Sequence, residues 1–247
     1  TQLQRIKIKI RMSGRVGSIT TDIIADGLVF NMDAANRASH DGNEMKWYNT
    51  ISLSQSGSLE NISTSDFIQN SGSVNVPFIN MDGTDDYADI SDTSNSSYDH
   101  ITVAIWISKK GTVGNFDYYA AAPIDTTAGT WWFRGPNPSF GIQTSGPTYT
   151  SSTTTTLAEG EFAYLVGTYD KQNMKFYKNE TLVSSTPLTT SLRWVNTAYN
   201  WRLGNYGGPF GSGLNARCAI SCFHFYNRAL SSNEVLHNYN ALKGRFE

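Results

Sequence analysis

The segment "FAYLVGTYDKQNMKFYKNETLVSS", residues Phe162–Ser185, indicates the fold class most clearly. It contains three short segments rich in aromatic and β-branched residues, a composition typical of strands: Phe162–Asp170, Met174–Asn179 and Thr181–Ser185. The connections are short and polar, "DKQN" at 170–173 and "NE" at 179–180. Asn tolerates the left-handed backbone conformation that a tight hairpin turn requires. The stretch therefore predicts a three-stranded antiparallel meander.

Segments of the same kind recur on both sides of the meander. Gly, Asn, Asp, Ser or Pro usually bounds them, as expected of strands that end in turns. The polar run Thr144–Thr156 predicts a long surface loop containing one edge strand. The remaining predicted strands are Gly27–Met32, Val76–Met81, Tyr87–Ser91, Ile101–Ser108, Trp131–Arg134, Phe140–Thr144, Trp201–Tyr206 and Ala219–Asn227.

One helix is predicted near the end of the chain, over Ser231–Gly244. Ser231 is a suitable N-cap, and Glu234 three residues later gives the spacing of a capping box. Apolar residues recur at helical spacing within the segment, and Gly244 is a natural stop. The sequence therefore predicts an all-β domain with a short C-terminal helix.

The composition excludes some classes of function. Charged residues are 16% of the 247 residues and aromatic residues 13%, a mixture suited to many short strands joined by turns. The net charge of −2 argues against nucleic acid as a partner. No segment approaches the roughly 18 apolar residues of a transmembrane helix, so membrane insertion is not expected. A single all-β sandwich of this length is common.

The two cysteines, Cys218 and Cys222, lie four residues apart on a predicted strand. In a regular strand this separation spans roughly 13 Å, whereas a disulfide needs Cα atoms within about 7 Å. We therefore expect two free thiols, unless a bulge brings the two residues together.

The N-terminal segment "RIKIKIRM" (residues 5–12) alternates basic and apolar residues. This period of two predicts a strand whose apolar face carries Ile6, Ile8, Ile10 and Met12. Residues 1–17 hold five basic and no acidic residues, so the rest of the chain carries −7. We assign residues 1–25 as an N-terminal β arm and 26–247 as the domain. Two interpretations stay open for the arm, which either docks on a partner chain by strand addition or returns to its own sheet as an edge strand. Its basic face either meets an acidic partner surface or is simply solvated.

Three segments carry a resemblance to a known family: "GLVFNMDAAN" (27–36), "FINMDGTDDYADI" (78–90) and "FHFYNRALSSNEVLHNYNALKGRF" (223–246). In this order they resemble the concanavalin A-like, laminin-G-like jelly rolls, and most closely those of structural proteins in tailed bacteriophages of marine hosts. Residues 79–82 lengthen the family's usual spacing between Phe78 and Gly83. The resemblance covers about residues 26–246 and implies two antiparallel sheets packed face to face.

The resemblance also implies a role. It predicts a non-enzymatic virion structural protein that decorates a capsid, neck or fibre, lies on the virion surface and is oligomeric in the particle. Its partners would be other virion proteins, bound through the arm, and host-surface glycans. The alternative is a secreted bacterial carbohydrate-binding module.

Catalytic residues are not expected. Glucanases of this fold use carboxylates two residues apart on one strand as nucleophile and acid. Only Glu159 and Glu161 have this spacing among the glutamates, in "AEGEF", where the intervening Gly indicates a solvated turn. No H-E-x-x-H or G-x-S-x-G motif occurs. The sequence therefore predicts a binding or structural protein and not an enzyme.

The sequence offers candidates for a glycan site. Sugars stack on exposed aromatic rings beside hydrogen-bonding side chains. Neighbours on a strand face opposite sides, so Trp131 is expected in the core and Trp132 exposed, with Arg134 on the same side as Trp132. Most aromatic residues in a sandwich are simply core. Further candidates come from "NWRLGNYGG", namely Trp201, Asn205 and Tyr206.

A metal site is the last candidate. The stretch "MDGTDDYADISD" (81–92) is dense in aspartates, and calcium takes six to eight oxygen ligands. Calcium bound through Asp85 and Asp86 is one interpretation, and a turn capped by Asp side chains is the other. No other cofactor is expected.

Overall fold

The computed structural model describes residues 23–68, 76–91, 93, 97–123, 129–145, 148–194, 199–207 and 213–246. The arm residues Ile6, Ile8, Ile10 and Met12 lie outside these ranges. The strands are β1 (Leu28–Asp33), β2 (Lys46–Tyr48), β3 (Ser56–Glu60), β4 (Phe67–Ile68), β5 (Phe78–Met81), β6 (Tyr87–Ile90), β7 (Ile101–Lys109), β8 (Tyr118–Pro123), β9 (Gly129–Arg134), β10 (Ser139–Thr144), β11 (Thr148–Ser151), β12 (Phe162–Tyr169), β13 (Asn173–Lys178), β14 (Thr181–Pro187), β15 (Trp201–Leu203) and β16 (Cys218–Tyr226). The α-helix α1 covers Ser232–Lys243, and a 3₁₀ turn lies at Thr64–Asp66.

The strands form two antiparallel sheets. The first has the order β14-β13-β12-β7-β16-β5-β4, with β1 pairing the second half of β16. The second has the order β11-β10-β9-β8-β15-β6-β3-β2. The predicted two-sheet jelly-roll sandwich is confirmed. No helix in the described ranges is both long and apolar enough to cross a bilayer.

The meander predicted over Phe162–Ser185 is confirmed as β12, β13 and β14 at one edge of the first sheet. Both turns use the left-handed backbone region, with φ of 60° at Lys171 and 57° at Asn179. The Asp170 carboxylate accepts the amide of Gln172 at 2.9 Å. The polar residues between the strands thus fix the turns, as their types predicted.

Several strands are absent from the sequence prediction, namely β2, β3, β4 and β8. The segment of β8, "YYAAAP", is rich in Ala, which has a low preference for strands. It is nevertheless buried on both faces and pairs with β9 across two bulges. Tertiary burial therefore decides its conformation. The predicted edge strand within Thr144–Thr156 is confirmed as β11, at the edge of the second sheet.

Aromatic side chains fill the core between the sheets. The Trp201 ring lies 4.5 Å from Phe225 of the opposite sheet and 5.3 Å from Trp131, centroid to centroid. Both tryptophans are fully buried. Rings in such tilted and edge-to-face arrangements contribute beyond the area that they bury.

The outer face of the first sheet is covered by α1 and the residues after it. The predicted capping box is present, since Ser231 accepts the amide of Glu234 and Glu234 accepts that of Ser231. Phe246 stacks on Trp106 of β7, with ring centroids 4.0 Å apart. Asn238 of α1 accepts the Ile24 amide at 2.8 Å, so the chain just before β1 is held against the helix.

A buried ion pair joins the end of the described chain to β1. Arg245 Nη1 donates to both carboxylate oxygens of Asp33, at 3.0 and 2.9 Å. The side chains are only 7% and 4% exposed. Breaking a buried pair of this kind leaves an unpaired charge in a low dielectric, which is strongly unfavourable.

The two cysteines are free, which confirms the prediction. The strand pairing has a bulge between Ile220 and Cys222, yet the bulge does not bring the thiols together. Instead, Cys218 packs in the core between the sheets and Cys222 in the cluster beneath α1. Burial raises the pKa of both thiols, so neither is expected to react readily in the folded protein.

Candidate functional site

Two of the predicted glycan-binding residues, Trp132 and Arg134, lie on the face of the second sheet that points away from the sandwich core. The prediction that Trp131 and Trp132 face opposite sides is confirmed, since Trp131 packs in the main core and Trp132 in a separate outer cluster. Arg134 shares the face of Trp132, and its guanidinium carbon lies 5.3 Å from the centre of that ring.

The expectation that Trp132 is exposed is wrong. Its exposed fraction is 1%, because Tyr118, Tyr206 and Leu214 pack around it on the outer face. Gly141 on β10 is its cross-strand partner, and a Cβ at that position would overlap the indole ring. The tryptophan is therefore a packing residue and offers no ring face to a ligand.

The structure also buries the three candidates from "NWRLGNYGG". Trp201 lies in the core between the sheets, and Tyr206 packs on Tyr118 with ring centroids 4.8 Å apart. Asn205 donates to the Asn215 side chain and accepts from the Gly207 amide. Trp201 is buried because it faces inward from β15. Asn205 and Tyr206 are buried because β15 ends at Leu203 and the residues after it turn over the outer face of the sheet.

Arg134 instead lines a shallow pocket of about 380 Å³ beside the buried tryptophan. We call this cavity the Arg134 pocket. Its wall combines one cation, one aromatic ring, two side-chain amides and several hydroxyls. Its lining residues include Asn115, Phe116, Arg134, Asn137, Ser139 and Ser151.

Turns at the ends of three strands build the pocket. Arg134 ends β9 and is the register partner of Ser139, which begins β10. The Gly135 amide donates to the Asp117 carbonyl at 3.0 Å, which joins the β9–β10 turn to the loop before β8. Gly135 has a φ of 92°, a conformation that favours glycine. These backbone contacts bring Phe116 and Arg134 together.

The charge of Arg134 is not neutralised by any described residue. Its Nη1 donates to the Tyr118 hydroxyl at 3.0 Å, and its guanidinium carbon lies 5.2 Å from the centre of the Phe116 ring. Within the described ranges no carboxylate oxygen lies within ion-pair distance of it. Arg202, on the same face of the sheet, differs because it pairs with Asp89 at 2.9 Å.

Phe116 is the site residue that sequence reasoning missed. Its side chain is 61% exposed, an unusual state for a phenylalanine. The signal in the sequence was a large apolar residue within the polar turn "GNFD" (114–117), where no strand pattern requires one.

The contacts of the aspartate cluster are those expected of a turn capped by Asp side chains. Ligand oxygens of Asp82, Asp85 and Asp86 lie within 4.8 Å of one another. However, Asp82 accepts the Thr84 amide at 2.6 Å, and Asp86 accepts the Asp82 amide at 2.9 Å. Burial raises the pKa of Asp86 to about 6. Calcium bound through Asp85 and Asp86 stays a prediction, and the absence of heat on calorimetric titration with calcium would contradict it.

The two glutamates with glucanase spacing lie at a turn around Gly160, as predicted. Glu161 pairs with Lys178 at 2.6 Å and also accepts the Ala158 amide at 3.0 Å. Glu159 is exposed. Glu161 therefore stabilises the turn.

Comparisons with solved structures find the same fold in proteins of low sequence identity. A mutant of Trypanosoma rangeli sialidase displaying trans-sialidase activity has a TM-score of 0.59 at 12% identity, with 90% of this chain and 34% of that chain covered. The ligand binding domain of botulinum neurotoxin serotype D, solved with N-acetylneuraminic acid, has a TM-score of 0.59 at 13% identity, with coverage of 88% and 51%. The binding domain of Paraclostridial Mosquitocidal Protein 1 has a TM-score of 0.65 at 12% identity, with coverage of 87% and 52%.

These matches show the fold alone, and the chain spans only about a third to a half of the structures it matches. A comparison with curated proteins finds no significant match. A family model matches residues 82–236, which is more than half of the chain. With its two-sheet sandwich, the chain therefore belongs to the concanavalin A-like lectin/glucanases superfamily.

Proposed function

We propose that this chain is a non-enzymatic, lectin-like component of a bacteriophage virion, which binds a host-surface glycan through the Arg134 pocket and is anchored by its N-terminal arm. The observation that carries the proposal is the Arg134 pocket itself. There an exposed phenylalanine ring lies beside a guanidinium group that no described carboxylate neutralises, and polar side chains complete the wall.

The composition of the pocket suits a sugar. A pyranose has an apolar face that packs on an aromatic ring, and Phe116 offers such a ring to solvent. The hydroxyl groups of a sugar need donors and acceptors, which the side chains of Asn115, Asn137 and Ser139 can supply. A few polar groups beside an apolar surface are typical of small-molecule sites.

The virion role rests on the resemblance of three segments to phage structural proteins and on the pattern of the arm. An amphipathic strand outside a sandwich would be prone to aggregation if it were left unpaired. Pairing with another virion protein would remove this hazard and anchor the domain. A secreted bacterial carbohydrate-binding module is the alternative, and it would use the same pocket without a particle.

The state of the glutamates supports a non-enzymatic role. Retaining and inverting glycosidases need two carboxyl groups on either side of the scissile bond. Glu161 is instead paired with Lys178 at a turn, and its carboxylate also accepts the Ala158 amide.

The glycan proposal is tested by binding of a multivalent form of the protein to an array of glycans. Single sites are expected to bind near the millimolar range, about −4 kcal/mol, with retention through many copies. Phe116→Ala should lose at least about tenfold in retention, because the stacking surface is removed. Leu182→Ala, which alters a side chain 48% exposed on β14, is the matched control and should bind as the unaltered protein does.

Equal retention of the Phe116→Ala protein would contradict the pocket assignment. The same glycans should remain intact after prolonged incubation with the protein. Hydrolysis that disappears in a Glu161→Gln variant would overturn the non-enzymatic role.

The anchoring proposal is tested in the full chain by Ile6→Asp together with Ile8→Asp. Burial of each isoleucine contributes about 1.5–3 kcal/mol, so two charged replacements should abolish association with the particle. The melting temperature of the domain should not change. Recovery of the doubly altered protein in purified particles at the normal amount would contradict docking through this face.

A further inference from the structure

Resting on the proposed glycan function, we infer that the sugar bound by the Arg134 pocket is an acidic one, whose carboxylate pairs with Arg134. Sialic and uronic acids share this chemistry, a pyranose ring that bears a carboxylate.

The first support is the charge of the pocket wall. Among the described residues that line the pocket, Arg134 is the only charged one. Asp117, the acidic residue next to Phe116, directs its carboxylate to the Gly114 amide. The wall therefore attracts an anion and contains no carboxylate that would repel it.

The second support is the way Arg134 is held. The centres of three aromatic rings lie near its guanidinium carbon, at 5.2 Å for Phe116, 5.3 Å for Trp132 and 5.7 Å for Tyr118. Aromatic rings favour the cation electrostatically but accept no strong hydrogen bond from its edge. Together with the hydrogen bond to the Tyr118 hydroxyl, they fix the group before any ligand binds. This preorganisation lowers the entropic cost of binding.

The third support is the number of N–H donors of Arg134 that have no partner among the described residues. A guanidinium group has five N–H donors in a planar fork, and one hydrogen bond, to Tyr118, is made within the described chain. A carboxylate matches the fork with two parallel hydrogen bonds, which are charge-assisted and stronger than bonds to neutral hydroxyl groups. Arg202 illustrates the alternative, because its fork already binds Asp89.

The fourth support is the position of the exposed ring. Phe116 flanks the guanidinium group, so a sugar with its carboxylate on Arg134 would rest its ring against Phe116. The volume of about 380 Å³ is at the lower end of the range for small-molecule sites, which suits a terminal sugar unit.

The test compares matched pairs of ligands by titration of the full chain. The pairs are glucuronic acid with glucose, and methyl N-acetylneuraminate glycoside with its methyl ester, so each pair differs at the carboxyl group. The acid of at least one pair should bind about tenfold or more tightly than its neutral partner. The pair that shows the difference identifies the class of sugar.

Arg134→Gln should abolish this preference, so that the acid and its neutral partner bind with the same affinity. Arg134→Lys should retain only part of it, since an ammonium group lacks the planar fork. Lys175→Gln, which removes a cation from β13 of the other sheet, is the control and should have no effect. Thermal unfolding of each variant verifies that it is folded.

Equal binding of acid and neutral partners, or a preference that survives in Arg134→Gln, would overturn the inference while the glycan proposal stands. Tighter binding of glucose 6-sulfate than of glucuronic acid would also overturn it. Failure of the multivalent protein to bind any sugar would remove the glycan proposal itself, so the two failures are distinguishable.

Discussion

Arg245→Met is expected to lower the free energy of unfolding by about 3–5 kcal/mol, the range for removing one partner of a buried ion pair. The substitution leaves the Asp33 carboxylate buried, with its exposed fraction at 4%. The carboxylate would keep its hydrogen bond from the Ala35 amide, which does not neutralise the charge. Methionine keeps the apolar stem of arginine, so the loss would come from the charge and not from packing. Denaturant unfolding at pH 7 measures the effect.

An exposed pair on the same protein is the control for this result. Lys171 and Asp99 lie 2.6 Å apart, but their side chains are 31% and 72% exposed. Lys171→Met should therefore cost much less stability than Arg245→Met. The double variant Arg245→Met with Asp33→Asn should recover part of the lost stability, since it leaves no buried charge without a partner. A cost below that of Lys171→Met would show that the pair is open to solvent.

Trp132→Ala is expected to destabilise the domain by about 3–5 kcal/mol, as for other buried tryptophans. The physical reason is that the ring fills the space between Gly141, Tyr118 and Tyr206 on the outer face of the second sheet. Thermal or denaturant unfolding measures the loss.

Phe116→Ala is the comparison for Trp132→Ala, because the Phe116 ring is largely exposed and lies near the buried Trp132 ring. It should change the stability by no more than about 0.5 kcal/mol. Gly141→Ala should destabilise as well, since its Cβ would overlap the indole, and Trp132→Phe should relieve part of that loss by removing the overlapping atoms. If Trp132→Ala were as mild as Phe116→Ala, the outer cluster would not be packed in solution.

The sequence predicted those elements that have a local pattern, such as a turn residue, a capping-box spacing or the period of a strand. The meander, the helix with its capping box and the opposite directions of Trp131 and Trp132 follow from turn residues, from spacing and from the period of a strand. These features depend on neighbours in the sequence. That is why they could be predicted before any fold was known.

The features that the sequence could not predict depend on distant residues. Alternation shows which face of the sheet Trp132 occupies, but not that Tyr206 and Leu214 cover it there. The bulge at Ser221 places Cys218 and Cys222 in different clusters, although their spacing alone would put them on one face. Similarly, the exposure of Phe116 follows from the way its loop is joined to Gly135. The sequence indicates Arg134 only through its position two residues after Trp132. In the structure, its contacts with Phe116, Trp132 and Tyr118 make it the centre of the candidate site.

The ion pair between Arg245 and Asp33 has a consequence for biosynthesis. The partner strand β16 and the arginine that neutralises Asp33 are translated about two hundred residues after β1. The nascent chain must therefore keep β1 unpaired while the residues between them are translated. Contacts of such long sequence separation slow folding and leave strand edges exposed in the meantime. The first sheet can therefore be completed only after β16 has been translated, and chaperone contact is expected to be most important before that point.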